Sequence, residues 1–276
     1  MQKLNTKILI SDLDDTLLTS EKEISDLNKA GIDQFRSAGG LFTIATGRCI
    51  SDSLEYIQEL QLTLPVILGN GALIYEPSTE EITIIDQLSP ETVQDVLADN
   101  ANRPEIVDIL VYTPTDIYTS HLRYLDLNYY QKNYGHNIKI LPSFEKLPSD
   151  APILKIIVIT APERINLVWN WVNQLEHPID CVQSSHQHLE ILPKNVSKGT
   201  AIPQLLDHLN ISSEEAAAVG DQLNDLSMLS NVGQAFAVAN AHPSVIQIAD
   251  HVVPSHNESA IYHIVQHFLK DMKAAK

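Results

Sequence analysis

The sequence predicts an α/β protein, a mostly parallel sheet covered by helices, into which a second, α+β domain is inserted. Short apolar runs alternate with helically spaced apolar positions, the pattern of strands joined by crossover helices. Several of those runs end in acidic, hydroxylic or amide side chains. The stretch from Ile82 to about His186 has a different texture, with hairpin-like strands and the aromatic-rich "RYLDLNYYQKNY", and is itself of domain size. The expected division is 1–84 with 187–276 for the core and 85–186 for the insertion.

The elements follow in order. Lys7 to Ser11 and Leu41 to Ala45 read as buried strands. Between them Ile24, Leu27, Ile32 and Phe35 recur at roughly helical spacing, and Gly39-Gly40 ends the helix. "PVILGN" at 65–70 reads as the next core strand. Inside the insertion, "ILKIIVIT", "INLVWNWVNQL" and "IDCVQSS" form a β-α-β run. The core resumes with strands at "AAAVGD" (216–221), "FAVAN" (236–240) and "HVVPS" (251–255). A last helix, with Asn257 as its cap, places Ile261, Ile264, Val265 and Phe268 on one face.

Eighteen basic against 35 acidic residues give a formal charge of -17, which argues against nucleic acid or an anionic membrane as partner. A small anionic substrate stays compatible, because charge is screened beyond about 8 Å at physiological salt and a bound cation can dominate a site. Cys49 and Cys181 are too few for a disulfide framework or a thiolate zinc site. With no signal-peptide pattern and no long apolar span, the chain is expected to be cytoplasmic.

The functional signal lies at the strand ends. Asp12 and Asp14 flank Leu13, so in extended backbone their carboxylates point to one side, past the carboxyl end of the first strand. Open α/β sheets bind ligands there. "TIATGR" brings Thr46, Gly47 and Arg48 to the end of the next strand, "VSKGT" puts Lys198 near a helix start, and "AVGDQLND" puts Asp221, Asn224 and Asp225 after a third strand. Each feature alone reads as an ordinary cap, turn or surface charge; together, each at an equivalent place, they read as a site. The interval from Asp12 to Thr46 fits one β-α-β step and that from Lys198 to Asp221 one helix and strand, whereas Thr46 to Lys198 is far too long for one crossover.

"DLDDTLL", "TGR", "NGA" (Asn70 to Ala72), "LEILPKNVSKG" (Leu189 to Gly199), "GDQLNDLSML" (Gly220 to Leu229) and "AVANA" (Ala237 to Ala241) occur in the order found in the haloacid dehalogenase superfamily of phosphatases. The chain resembles its Cof-like branch, in which a large cap (type IIB) is inserted in a Rossmann-like core. Two departures stand out. Asp15 occupies a position where the family more often has glycine, which a turn tolerates. Pro203 falls about one and a half turns after Lys198, so the helix is expected to begin later or to kink.

The resemblance implies Mg2+-dependent hydrolysis of small-molecule phosphate monoesters, such as sugar phosphates, flavin mononucleotide or pyridoxal phosphate. Asp12 would be the nucleophile and a metal ligand, Asp221 the second carboxylate ligand, and Asp14 a ligand through its backbone carbonyl. That leaves the Asp14 side chain as general acid and base. Thr46, Gly47, Lys198 and Asn224 would donate to the phosphoryl oxygens, and Asp225 would orient ligands. Arg48 would either reach the phosphate or pair with an acid at the cap interface. His186 and His188 are expected as edge-strand residues near the hinge, and Tyr124, Tyr129, Tyr130 and Tyr134 as part of the cap's own core and surface. A phosphomutase or phosphotransferase with the same aspartyl phosphate, and a non-catalytic phosphosugar-binding protein, are the alternatives.

Overall fold

The computed structural model describes residues 4–100, 103–123 and 138–274. The core sheet runs β14-β13-β12-β1-β2 and is parallel throughout, with β1 (Ile8–Ser11) at its centre between β2 (Leu41–Ile44) and β12 (Ala216–Gly220). β13 (Gln234–Val238) and β14 (His251–Val253) complete one side. All four residues of β1 are buried, which is why it reads as a continuous apolar run rather than an alternating one. On the other side Ala45 bridges in parallel to Ile67 of β3 (Val66–Leu68), which turns back into the antiparallel strands β4 (Leu73–Glu76) and β5 (Glu81–Ile84).

Helices cover this sheet. α1 (Asp26–Ser37) lies beside the last helix, α8 (Ala260–Ala274), with Phe35 and Phe268 in ring contact at 5.6 Å. α2 (Ile50–Glu59), α5 (Lys198–Leu209), α6 (Leu226–Leu229) and α7 (Pro243–Ile248) are the other core helices.

The insertion has its own six-stranded sheet, β10-β11-β9-β6-β7-β8, from β6 (Ile106–Tyr112), β7 (Ile117–Thr119), β8 (Ile138–Ile140), β9 (Lys155–Thr160), β10 (Ile179–Gln183) and β11 (His188–Pro193). All its pairings are antiparallel except β7 with β8. One face holds a separate core where Val96 of α3 (Pro90–Asn100) and Val168 and Trp171 of α4 (Ile165–Val172) meet Ile109, Val158 and Leu189. The opposite face packs Leu110, Tyr112, Ile157 and Ile159 against Cys49 of the core.

Local details depart from the expectations in several places. The boundary expected at 186/187 falls ahead of β11, which is hydrogen-bonded in the six-stranded sheet, so that sheet extends to Pro193. Ile24 precedes α1 and bridges Leu18 instead, while Leu27 is 45% exposed, so the buried face of α1 is carried by Gly31, Ile32 and Phe35. Asn257 sits in a short turn capped by Ser255, and α8 begins after Ser259 takes a left-handed conformation; its buried face is nevertheless Ile261, Ile264, Val265 and Phe268. β11 lies between β10 and β9, so His188 is on an interior strand rather than an edge. The four tyrosines at 124, 129, 130 and 134 lie outside the described residues.

Pro203 neither delays nor interrupts α5. The helix starts at Lys198, with the Ser197 hydroxyl accepting from the Thr200 N–H, and continues through the proline. Its first turn presses on α6. A Cβ on Gly199 would stand 2.3 Å from the backbone of Ser227, so only glycine permits that approach. Gly199→Ala is therefore expected to lower unfolding stability by about 1–3 kcal/mol, measured by urea titration, because one chain segment must move.

Candidate active site

The site forms where the carboxyl ends of β1, β2 and β12 meet the inner face of the six-stranded sheet. Asp12 leaves β1 directly, and the next turn holds Asp14 extended (φ -71°, ψ 132°) and Asp15 left-handed (φ 54°, ψ 17°). That left-handed position explains why glycine is the alternative there and why aspartate is tolerated. Thr46 and Gly47 follow β2, and Asp221 and Asn224 follow β12. Asp12, Asp14, Thr46, Gly47, Arg48, Asp221 and Asn224 line one cleft of about 260 Å³, joined from the insertion by Tyr112, Lys155, Ile157, Ser184, His188 and Glu190.

Lys198 and Asp225 lie behind this cleft, in contact with Asp12. The buried Lys198 Nζ donates at 2.6 Å to Asp12 Oδ1 and at 2.6 Å to Asp225 Oδ1. Asp225 Oδ2 accepts from the backbone N–H groups of Asp221 (2.9 Å) and Gln222 (3.0 Å), so both of its oxygens are engaged. Asp221 Oδ1 accepts from the Thr16 hydroxyl at 3.0 Å. Asp12 Oδ2 and Asp221 Oδ2 accept no hydrogen bond among the described residues.

Burial dominates the electrostatics. It pushes Asp12 up to about 7 despite Lys198, with Asp225 and Asp14 adding to the rise. Burial likewise raises Asp221 well above the usual carboxylate range, with Asp12 and Asp225 adding repulsion. For Lys198 burial favours the neutral amine, but Asp12 and Asp225 outweigh it and keep the ammonium. The carboxylates of Asp12, Asp221 and Asp225 converge within 4.8 Å of one another. Since Asp225 is fully engaged, Asp12 and Asp221 are the two with free lone pairs, a hard oxygen set that fits a divalent cation.

Asp14 has separate partners. Arg48 grips it with two hydrogen bonds, Nε to Oδ2 and Nη2 to Oδ1, both 2.8 Å, and Lys22 Nζ adds a third at 2.9 Å. Burial alone would raise Asp14; these cations outweigh it and hold the carboxyl well below the usual range. Arg48 thus pairs with an acid, Asp14, that lines the cleft shared with the insertion, and its Nη1 donates to the Asp52 carbonyl at 3.1 Å. Lys22 carries no local sequence signal for this contact.

The donor side is linked to the insertion. Asn224 Nδ2 donates to Asn70 Oδ1 at 3.1 Å, and Asn70 Nδ2 donates to Glu190 Oε2 at 2.7 Å, which also accepts from Lys155 Nζ at 2.6 Å. Thr46 is buried, and its Oγ1 accepts from the Arg48 N–H at 3.3 Å. A Cβ on Gly47 would stand 2.9 Å from Asn70 Oδ1 and 3.2 Å from Lys155 Nζ, so glycine is what lets these two side chains approach the backbone at 47. His188 is held neutral near pH 7, its pKa pulled down to about 4 chiefly by burial. Lys155 and Glu190 escape a motif reading, although a charge within "ILKIIVIT" and within "LEILP" is itself a signal, because buried charges need partners.

Comparison with known proteins identifies the family. The family model for haloacid dehalogenase-like hydrolases matches residues 9–265. The chain is similar to Phosphatase YwpJ of Bacillus subtilis (28% identity, covering 95% of this chain and all of the relative). It is also similar to 5-amino-6-(5-phospho-D-ribitylamino)uracil phosphatase YitU of the same organism (24%, 96% of each). Among solved structures, a haloacid dehalogenase-like hydrolase from B. subtilis superposes with a TM-score of 0.83 at 26% identity, over 95% of this chain and 99% of the other. With nearly the whole described core inside the matched region, the chain belongs to the haloacid dehalogenase-like hydrolases.

Proposed function

We propose that this protein is a phosphatase that hydrolyses small phosphate monoesters through an aspartyl phosphate on Asp12, with Mg2+ as cofactor. One observation carries the reading: Asp12, at the end of the central strand, lines the cleft with one oxygen fixed by Lys198 and the other without a hydrogen bond among the described residues. A nucleophile needs that combination of orientation and a free lone pair. The phosphatase names of the relatives support it.

Asp12 and Asp221, with the Asp14 carbonyl, would hold the metal. When bound, Mg2+ supplies positive charge against the phosphate dianion and the clustered carboxylates. Asp12 attacks phosphorus as the bond to the leaving oxygen breaks, and that oxygen takes a proton from Asp14. Water then attacks the phosphorus of the aspartyl phosphate, giving its proton to Asp14, and Asp12 is released with inorganic phosphate. As drawn into the grip of Arg48 and Lys22, Asp14 is an anion; to donate a proton it must part from Arg48. Thr46 and Gly47 bind phosphoryl oxygens, and Asn224 joins them once it gives up Asn70. Lys198 and Asp225 hold Asp12 and the Asp221 backbone in place. Free thiols at Cys49 and Cys181 suit a cytoplasmic setting.

Three outcomes test this. In a screen of phosphorylated metabolites, wild-type protein with Mg2+ is expected to release inorganic phosphate, and excess chelator or Asp12→Asn to abolish release without unfolding. Product accumulating as a new phosphate ester instead would identify a phosphotransferase.

Asp14→Asn is expected to act unequally on the two half-reactions. With p-nitrophenyl phosphate, whose leaving group needs little protonation, rapid mixing should show a burst of about one nitrophenolate per site, then turnover slowed by about 10²- to 10⁴-fold. An alkyl phosphate should give no burst. Near wild-type turnover of both substrates would remove Asp14 from the chemistry.

Stability should reveal the metal independently of turnover. Because Asp12 keeps its proton up to about pH 7 when folded, against an ordinary value of 3.8, its contribution is fully present below about pH 4 and is lost as pH rises through 7. Asp14 runs the other way, but its window lies in acid, below the ordinary carboxylate value. Chelated protein should therefore show a urea midpoint that falls from pH 5 to pH 8. Mg2+ should raise it most at pH 8, and Asp12→Asn should flatten the slope. A slope that Asp12→Asn leaves unchanged would contradict the assignment.

A further inference from the structure

Lys155 lies in the insertion, at the first position of β9, yet its ammonium reaches the core beside Gly47. The residue is 1% exposed. Burying an ammonium is costly unless its charge and all three N–H groups are accommodated. Glu190 balances the charge and accepts one N–H at 2.6 Å, and the Tyr112 ring faces the ammonium with its centroid at 4.6 Å. Among the described residues no second hydrogen-bond acceptor serves Lys155. Spare donor capacity on a buried cation at the wall of the cleft is what a bound oxyanion would use.

Position favours the phosphoryl group over the leaving group. The ammonium stands next to the backbone at Gly47 and to the Asn70–Asn224 amide pair, on the donor side of the cleft, while Asp12 and Asp221 form its acidic side. We propose that Lys155 is a substrate-binding residue supplied by the insertion, whose ammonium donates to a phosphoryl oxygen while Glu190 and Tyr112 hold it in place. The assignment rests on the phosphatase reading for the identity of the ligand. It gives the insertion a part in phosphate binding itself, besides any contact with the rest of the substrate.

Removing Lys155 alone strands Glu190, so the decisive variant is Lys155→Met/Glu190→Gln, since replacing both members of a buried pair is generally tolerated. Calorimetric titration with inorganic phosphate in the presence of Mg2+ reads affinity without turnover. The double variant is expected to keep the wild-type urea midpoint but to bind phosphate at least about tenfold more weakly, as loss of one charged hydrogen bond requires. Its KM for p-nitrophenyl phosphate should rise by a similar factor, with kcat changed less than about threefold. Lys155→Gln, which keeps an N–H for Glu190 but not the charge, should show the same loss and serves if the double variant does not fold. Wild-type affinity in either folded variant, or no phosphate affinity in the wild type, overturns the proposal. Failure to release phosphate from any ester, with Lys155-dependent phosphate binding intact, would instead overturn the phosphatase reading alone.

Discussion

A single buried ammonium makes the acidic end of the core sheet possible. Lys198 joins Asp12 to Asp225, and Asp225 in turn fixes the backbone that carries Asp221. The ammonium does not keep all three carboxylates ionised, since burial and mutual repulsion still raise Asp12 and Asp221, but without it Asp12 and Asp225 would lose the partner they share. An ion pair of this kind need add little net stability, because desolvation offsets its attraction. Its contribution is orientation. The Ser197 cap and the close contact of Gly199 with α6 are what point that ammonium at the end of β1, so the helix start is as much a part of the site as the aspartates.

Asp14, one residue beyond Leu13, is governed by a different pair of cations and so has the opposite electrostatic character from Asp12. Arg48 also faces the Tyr56 ring at 5.1 Å, and the Tyr56 hydroxyl donates to the Lys22 carbonyl, so the two cations on Asp14 are joined to each other through α2. Neighbouring carboxylates with separated protonation behaviour are a means by which one site holds both a nucleophile and an acid/base group. Here the separation comes from partner choice rather than from burial alone.

Much of this was legible in the residues. Core strands buried on both faces announce themselves as short apolar runs, and Asp12, Asp14, Thr46, Asp221 and Asn224 sit at their carboxyl ends, a position defined by local pattern. The interval between Thr46 and Lys198 disclosed the insertion. What the residues hid is long-range pairing: no spacing rule connects Arg48 with Asp14, or Lys155 with Glu190 across adjacent antiparallel strands. Ile24 and Leu27 misled because helical spacing continues past the real helix start, and only packing against α8 decides which side of α1 is covered. The sheet boundary at β11 was hidden because "LEILP" is as apolar as a core strand.

The place of β1 bears on how the chain acquires its structure. Its two hydrogen-bonded neighbours lie at very different distances along the chain, Ile8 facing Leu41 on one side and Ala216 on the other. On a ribosome the first pairing can form early, whereas the second waits until the whole insertion has emerged. Closing so long a loop from a disordered intervening chain carries an entropic cost, and non-local parallel pairing is intrinsically slow. The strands β6 to β11, by contrast, are contiguous and enclose their own apolar cluster. Once collapsed, they replace a long flexible loop by a compact body, and the remaining search for β12 becomes shorter. The insertion that interrupts the core sheet thereby shortens the loop its last pairings must close.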